Sequence, residues 1–147
     1  MAAVTTRGEG ATPATTKRWQ LWTGRLISAV PVVMMVLSAL LKLTRSPAFV
    51  VAWTDDLGIP ASALTPVAVL ELACVLVYVV PRTAVLGAIL VAAFLGGATA
   101  AHVRVGAPFV TPIVLGIASW AGLYLRDSRL RALLPLRMPA RANAGYT

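Results

Sequence analysis

Four apolar runs, each closed by a charge or a turn residue, organise the chain. They cover about residues 22–42, 61–80, 83–101 and 105–125. About 20 residues of helix cross a hydrocarbon core at 1.5 Å of rise each, so every run predicts a membrane span. Strict period-2 alternation is absent, which argues against a β-barrel. A helix also satisfies its own backbone polar groups, as lipid demands. The pattern therefore predicts an all-α integral membrane protein, a four-helix transmembrane bundle. The first run is expected to be retained rather than cleaved as a signal peptide, because Lys42 ends it directly and no small-residue cleavage site follows.

The stretches between and around the runs carry their own signals. Residues 1–18 are rich in Thr, Ala and Gly without apolar period, and residues 135–147 are basic and broken by Pro139. Both read as disordered tails flanking a transmembrane domain over residues 19–134. Asp127–Leu134 predicts a short basic surface helix drawn to anionic headgroups. In the first external loop, Ser46-Pro47 is a helix start, with Ser as N-cap and Pro at the first helical position. Phe49, Val50, Trp53 and Leu57 then recur at helical spacing until Gly58. This predicts a short amphipathic helix over Pro47–Leu57, lying in the interface.

Within the third run, Ala88, Ala92, Gly96 and Ala100 form a small-residue row that predicts close helix approach. Thr65-Pro66 and Thr111-Pro112 are matched prolines in the second and fourth runs. Either they interrupt helices, which points to a binding site, or they start or kink them. Pro31 predicts a kink in the first.

Composition supports the membrane reading and closes others. The chain is 59% hydrophobic and 12% charged, with mean hydropathy +0.82. A soluble domain is about 45–50% apolar and about 25% charged, and a 147-residue domain cannot bury so much apolar surface. The net charge of +8 sits at the ends of the runs, not in a nucleic-acid footprint. Ten basic residues flank the termini and the 81–83 turn, against Lys42, Arg45 and Arg104 on the other side. The positive-inside rule then puts both termini in the cytoplasm, with the protein in the plasma membrane. Trp19, Trp22, Tyr78, Trp120 and Tyr124 are assigned to the inner interface, and Phe49, Trp53 and Phe109 to the outer one.

Glu71 is out of place in the second run, on one face with Ala68, Cys74, Val75 and Tyr78. A carboxylate at that depth costs about 2.5–3.5 kcal/mol or more on insertion scales, so it should be paired, protonated or functional. Lys42, His102 and Arg104 end neighbouring runs on the same side. Together the four predict an outward-facing polar, ligand-binding cavity, with Glu71 the candidate catalytic residue. By helical rise the cations stand about 10 Å above the carboxylate. The alternatives are snorkelling for Lys42 and Arg104, an interfacial polar role for His102, and a hydrogen-bond anchor for Glu71. One His, one Cys and one buried Glu do not repeat at metal-ligand spacing, so no metal site is expected. A lone cysteine, Cys74, cannot form a disulfide within the chain.

The segments "SALLKL" (Ser38–Leu43), "LGIP" (Leu57–Pro60), "LEL" around Glu71 and "VVPRTAVLGAILVAAFLGGATAAHVR" (Val79–Arg104) resemble the DoxX-like family. The resemblance covers about residues 22–134. It implies a four-helix membrane bundle and, from named members, a link to quinone-coupled sulfur oxidation and membrane redox complexes. Two functions follow as expectations. One is an accessory or ligand-binding subunit of a quinone-linked redox system, holding a quinone or other lipophile through Lys42, His102 and Arg104, with Glu71 relaying a proton. The other is a small isomerase or cyclase with Glu71 as general acid or base. Expected partners are the lipid bilayer and a membrane or peripheral redox protein; a homo-oligomer is left open, and no nucleic acid is expected.

Overall fold

The computed structural model describes residues 18–133. The two tails expected from the sequence lie almost wholly outside that range. Among the described residues every element is helical. Helix α1 spans Arg18–Leu43, α2 Pro47–Val51, α3 Leu64–Val79, α4 Ala84–Arg104, α5 Val110–Arg126 and α6 Ser128–Leu133. Helix α2 continues as a wider π-helical segment over Ala52–Asp56, and a 3-10 turn, Ala61–Ala63, leads into α3.

The four apolar runs became α1, α3, α4 and α5. Helix α1 packs against α3 and α5, and α4 packs against the same two. Helices α1 and α4, and α3 taken together with its leading 3-10 turn (Ala61–Val79), are long and apolar enough to cross a membrane. Helix α5 is apolar but has 17 residues, about 25 Å of rise. It starts five residues later than its run predicts, because Gly106 takes a positive φ of 72° and Pro108 follows it in irregular chain.

Each helix buries a narrow stripe. On α1 it is Gly24, Ser28, Pro31, Met35, Ala39 and Lys42; on α3 it is Leu64, Ala68, Glu71, Cys74, Val75 and Tyr78. The steps of three and four residues keep one face inward. The other faces carry exposed Leu26, Val33, Leu40, Val69, Leu76, Ile89 and Ile117. A soluble protein rarely shows so contiguous an apolar surface; lipid accommodates it.

The structure decides one open alternative and revises two local expectations. Pro66 and Pro112 fall in the first turns of α3 and α5, so they start these helices rather than interrupt them. That position costs little, since first-turn N–H groups have no intrahelical partner. In the 88–100 row only Ala88 is buried, and the close backbone approaches at glycines lie elsewhere. A Cβ at Gly87 would collide with the Tyr78 backbone, and one at Gly122 with Ser28, whereas Gly96 and Gly97 have open space around them. The short turn after Val79 forces the adjoining ends of α3 and α4 together, which is why the contact sits at Gly87. Finally, Ser46 precedes α2 but makes no side-chain cap, although Pro47 does occupy the first turn.

Tyr78 is not interfacial. It is 1% exposed, and its Oη lies 2.7 Å from the Ser119 carbonyl and 3.0 Å from Ser28 Oγ. A carbonyl only accepts, so Tyr78 donates to Ser119 and the Ser28 hydroxyl donates to Tyr78. The Arg126 guanidinium lies 5.1 Å from the Tyr78 ring centroid. This cluster ties α1, α3 and α5 together near α6.

Candidate functional site

The opposite end, beside α2, holds the candidate site. Lys42 is in the last turn of α1 and Glu71 in the first half of α3. Lys42 Nζ donates to Glu71 Oε2 at 2.7 Å and to Ser38 Oγ at 2.6 Å. Both side chains are buried, at 5% and 3% exposure. The 10 Å offset estimated from helical rise is closed by side-chain direction. In a helix Cα–Cβ bonds lean toward the N-terminus. Helices α1 and α3 run in opposite directions, so Lys42 leans toward the middle of the bundle and Glu71 toward the α2 end until they meet. Lys42 does not snorkel; it folds back over its own helix to Ser38.

Helix α2 and its π-helical continuation supply a lid. Phe49 and Trp53, four residues apart, stack with centroids 6.2 Å apart and ring planes at 24°. The Lys42 ammonium lies 5.2 Å from the Phe49 centroid and 5.6 Å from that of Trp53. A cation with a carboxylate on one side and aromatic faces on another is well compensated for lost water. Trp53 was assigned to the outer membrane interface from the sequence; it is buried at 8% exposure, its Nε1 donating to the Pro60 carbonyl at 3.4 Å.

A cavity of about 1010 Å³ opens beside this pair. Lys42, Glu71, Ser38 and His102 contribute its polar groups, with Asp56 and Thr111. Met34, Met35, Leu70, Cys74, Phe94 and Leu95 are among its apolar walls. The volume is at the upper end of the range of about 300–1,000 Å³ for small-molecule sites. Gly97 lines it, which accounts for the open space above that residue.

Of the four residues the sequence singled out, the cavity brings together Lys42, Glu71 and His102. Arg104 is not among its lining residues. Its Nη2 donates to the Leu57 carbonyl at 2.6 Å on the exposed side, holding the end of the α2 segment against α4. His102 Nδ1 lies 2.8 Å from the Ala98 carbonyl, one turn back on α4. Ser38, Phe49 and Trp53 are the site residues that sequence reasoning did not assign. Their signal was helical spacing: Ser38 is one turn before Lys42, and Phe49 and Trp53 share a face. Among the described residues no group of three His, Cys, Asp or Glu side chains is placed to hold a metal ion.

Comparison with known proteins gives one family. The profile of the DoxX-like family matches residues 26–122, a stretch that takes in α1 to most of α5. No curated protein and no solved structure matches the chain.

Proposed function

The chain belongs to the DoxX-like family, and from that premise we propose that it is an accessory, lipophile-binding subunit of a quinone-linked membrane redox system. In this reading the four long helices form a bundle across the plasma membrane, with both termini in the cytoplasm and the α2 end facing outward. The observation that carries the reading is the cavity of about 1010 Å³, apolar along its walls and polar at Lys42, Glu71 and His102.

The residues present fit a quinone in its reduced, quinol form, whose two hydroxyls can donate hydrogen bonds. A flat ring with two polar oxygens needs apolar walls and a few hydrogen-bonding groups at one end. Leu70, Phe94 and Leu95 supply the walls, and Ser38, the Lys42–Glu71 pair and His102 the polar end. When bound, a quinone carries electrons and protons between partners. This chain's part is to hold it and keep water away. Glu71 is the group placed to exchange a proton at the polar end, and the aromatic lid shields the pair. The isomerase or cyclase reading has no separate observation in its favour, because it would use the same cavity and the same Glu71, paired with Lys42 at 2.7 Å.

The test is affinity purification of the full chain from its native membranes, with mass spectrometry of proteins and extracted small molecules. A stoichiometric redox protein together with a bound quinone is expected. A partnerless protein with no extractable lipophile would overturn the reading. A partnerless protein that retains an unrelated lipophile and turns it over would favour the enzyme instead.

A further inference from the structure

We propose that the cavity selects ligands whose polar head is uncharged and carries a hydroxyl hydrogen, a phenol-type donor, and that His102 Nε2 accepts it. This rests on the reading of the cavity as a ligand site and deepens it by naming the head chemistry. The first observation is the tautomer. His102 Nδ1 sits 2.8 Å from the Ala98 carbonyl, and a carbonyl can only accept, so Nδ1 carries the hydrogen. In the neutral ring Nε2 is then a bare acceptor. It makes no hydrogen bond among the described residues, and the ring lines the cavity.

The second observation is that two of the donors beside the cavity, Lys42 and Trp53, are engaged. Lys42 gives hydrogens to Ser38 and Glu71 and faces two aromatic rings. Trp53 gives its hydrogen to Pro60. A hydroxyl finds an acceptor waiting at Nε2, whereas an acceptor-only head, such as an ether, cannot use that group and is left the Thr111 hydroxyl on the wall. The third observation concerns charge. Lys42 and Glu71 neutralise each other in the interior, and Asp56 is exposed at the mouth. A charged head would give up water without meeting an uncompensated counter-charge inside.

His102 is the single histidine of the chain, so nitrogen-15 labelling of histidine reports on this ring alone. The experiment uses the full chain in lipid nanodiscs at mildly alkaline pH, with 4-nonylphenol, its methyl ether, dodecanoate and dodecylamine as probes. The spectrum of the free protein is expected to show Nδ1 protonated and Nε2 bare. Adding 4-nonylphenol should shift the Nε2 resonance in the direction of an accepted hydrogen bond. The phenol should bind about tenfold more tightly than the ether, a difference of about 1.4 kcal/mol, and the two charged probes more weakly than the phenol. His102→Phe should abolish the preference for phenol over ether, and His102→Gln, which restores a side-chain acceptor, should recover part of it.

A spectrum with Nε2 protonated would overturn the inference. So would equal affinity for all four probes, although that result leaves the cavity standing as a ligand site. If no probe binds, with no change at His102 or in the fluorescence of a variant whose only tryptophan is Trp53, the cavity reading falls and this inference with it.

Discussion

Tyr78 with its serines and the Lys42–Glu71 pair are both buried polar clusters joining α1 to α3, at opposite ends of the same helices. Around Tyr78 the helices close completely: Gly87 admits no Cβ against the Tyr78 backbone, and Gly122 admits none against Ser28. The polar atoms there bond one another and backbone carbonyls of α5, Tyr78 to Ser119 and the Ser119 hydroxyl to Gly116. Around Lys42 and Glu71 the helices part to leave a cavity of about 1010 Å³, and a short segment with two aromatic rings covers the cation. Burial of polar groups is thus no guide to function by itself. Space beside them distinguishes the two ends. Where neighbours fill the volume, a hydrogen-bonded cluster fixes helix positions; where they do not, the same kind of cluster is available to a ligand.

The largest test of this contrast is at the closed end. Gly87→Val puts three carbons where the Tyr78 backbone stands. Overpacking usually costs about 1–3 kcal/mol, and more when the colliding atoms are backbone and cannot turn aside. The variant is expected to yield little folded monomer by size-exclusion chromatography. Gly97→Val, into open space on the same helix, should fold normally and lose ligand affinity instead. Equal folding of the two variants would erase the distinction between the ends.

The ion pair should respond differently. Glu71→Ala leaves the Lys42 ammonium buried without its carboxylate, a change that costs about 3–5 kcal/mol in comparable buried pairs. Replacing both, as Lys42→Met with Glu71→Leu, removes both charges at similar volume and should restore most of the thermal stability. Ligand retention should stay lost in the double variant. Stability and binding then separate at this end, which they cannot do at Gly87. Recovery of binding in the double variant would reduce the pair to a structural anchor.

Much of the frame could be read from the sequence, because it depends on runs and periods. The apolar runs marked all four long helices, and the spacing of Phe49 and Trp53 behind Ser46-Pro47 marked the segment at α2. Glu71 was identified as exceptional because a carboxylate in an apolar run is costly wherever its partner lies. Its partner was harder to read. Axial rise alone separates Lys42 from Glu71, and only the opposed lean of side chains on antiparallel helices brings them to 2.7 Å. Arg104 illustrates the converse: it ends the same helix as His102, yet two residues of rotation carry it to the Leu57 carbonyl. The tight contact at Gly87 was hidden behind the longer Ala and Gly row after it, because a row shows that a face is small, not which helix meets it. Tyr78 was misassigned to the interface, since a tyrosine near the end of a span has the same sequence whether it points outward or toward two serines.

A milder change at the closed end is Tyr78→Phe. It keeps the ring under Arg126 and removes the bonds to Ser119 and Ser28. Interhelical hydrogen bonds in membrane proteins contribute about 0.6 kcal/mol on average and up to about 1.7. A loss of about 1–2 kcal/mol in unfolding from mixed micelles is expected, with probe affinity at the α2 end unchanged. Altered affinity would mean that the two clusters are coupled along α3, and the ends could no longer be treated as independent.

The smallest expected effect belongs to Arg104→Gln. The Arg104 side chain is solvent-accessible, and its bond to Leu57 competes with water, so folding stability should hardly move. Leu57 nevertheless lines the cavity at the end of the segment that bears Trp53. Gln at 104 is shorter and loses the charge on the Leu57 carbonyl, which frees that end of the segment from α4. Trp53 and Phe49 remain over Lys42 through their own contacts, so equilibrium affinity for a lipophilic probe should change by less than about threefold, under 1 kcal/mol. Rates are where the change should appear. If the segment is the route by which ligand enters and leaves, both association and dissociation accelerate together in stopped-flow measurements of Trp53 fluorescence. Unchanged rates would place the entrance on the lipid-facing side, between the helices, and leave α2 as a fixed roof.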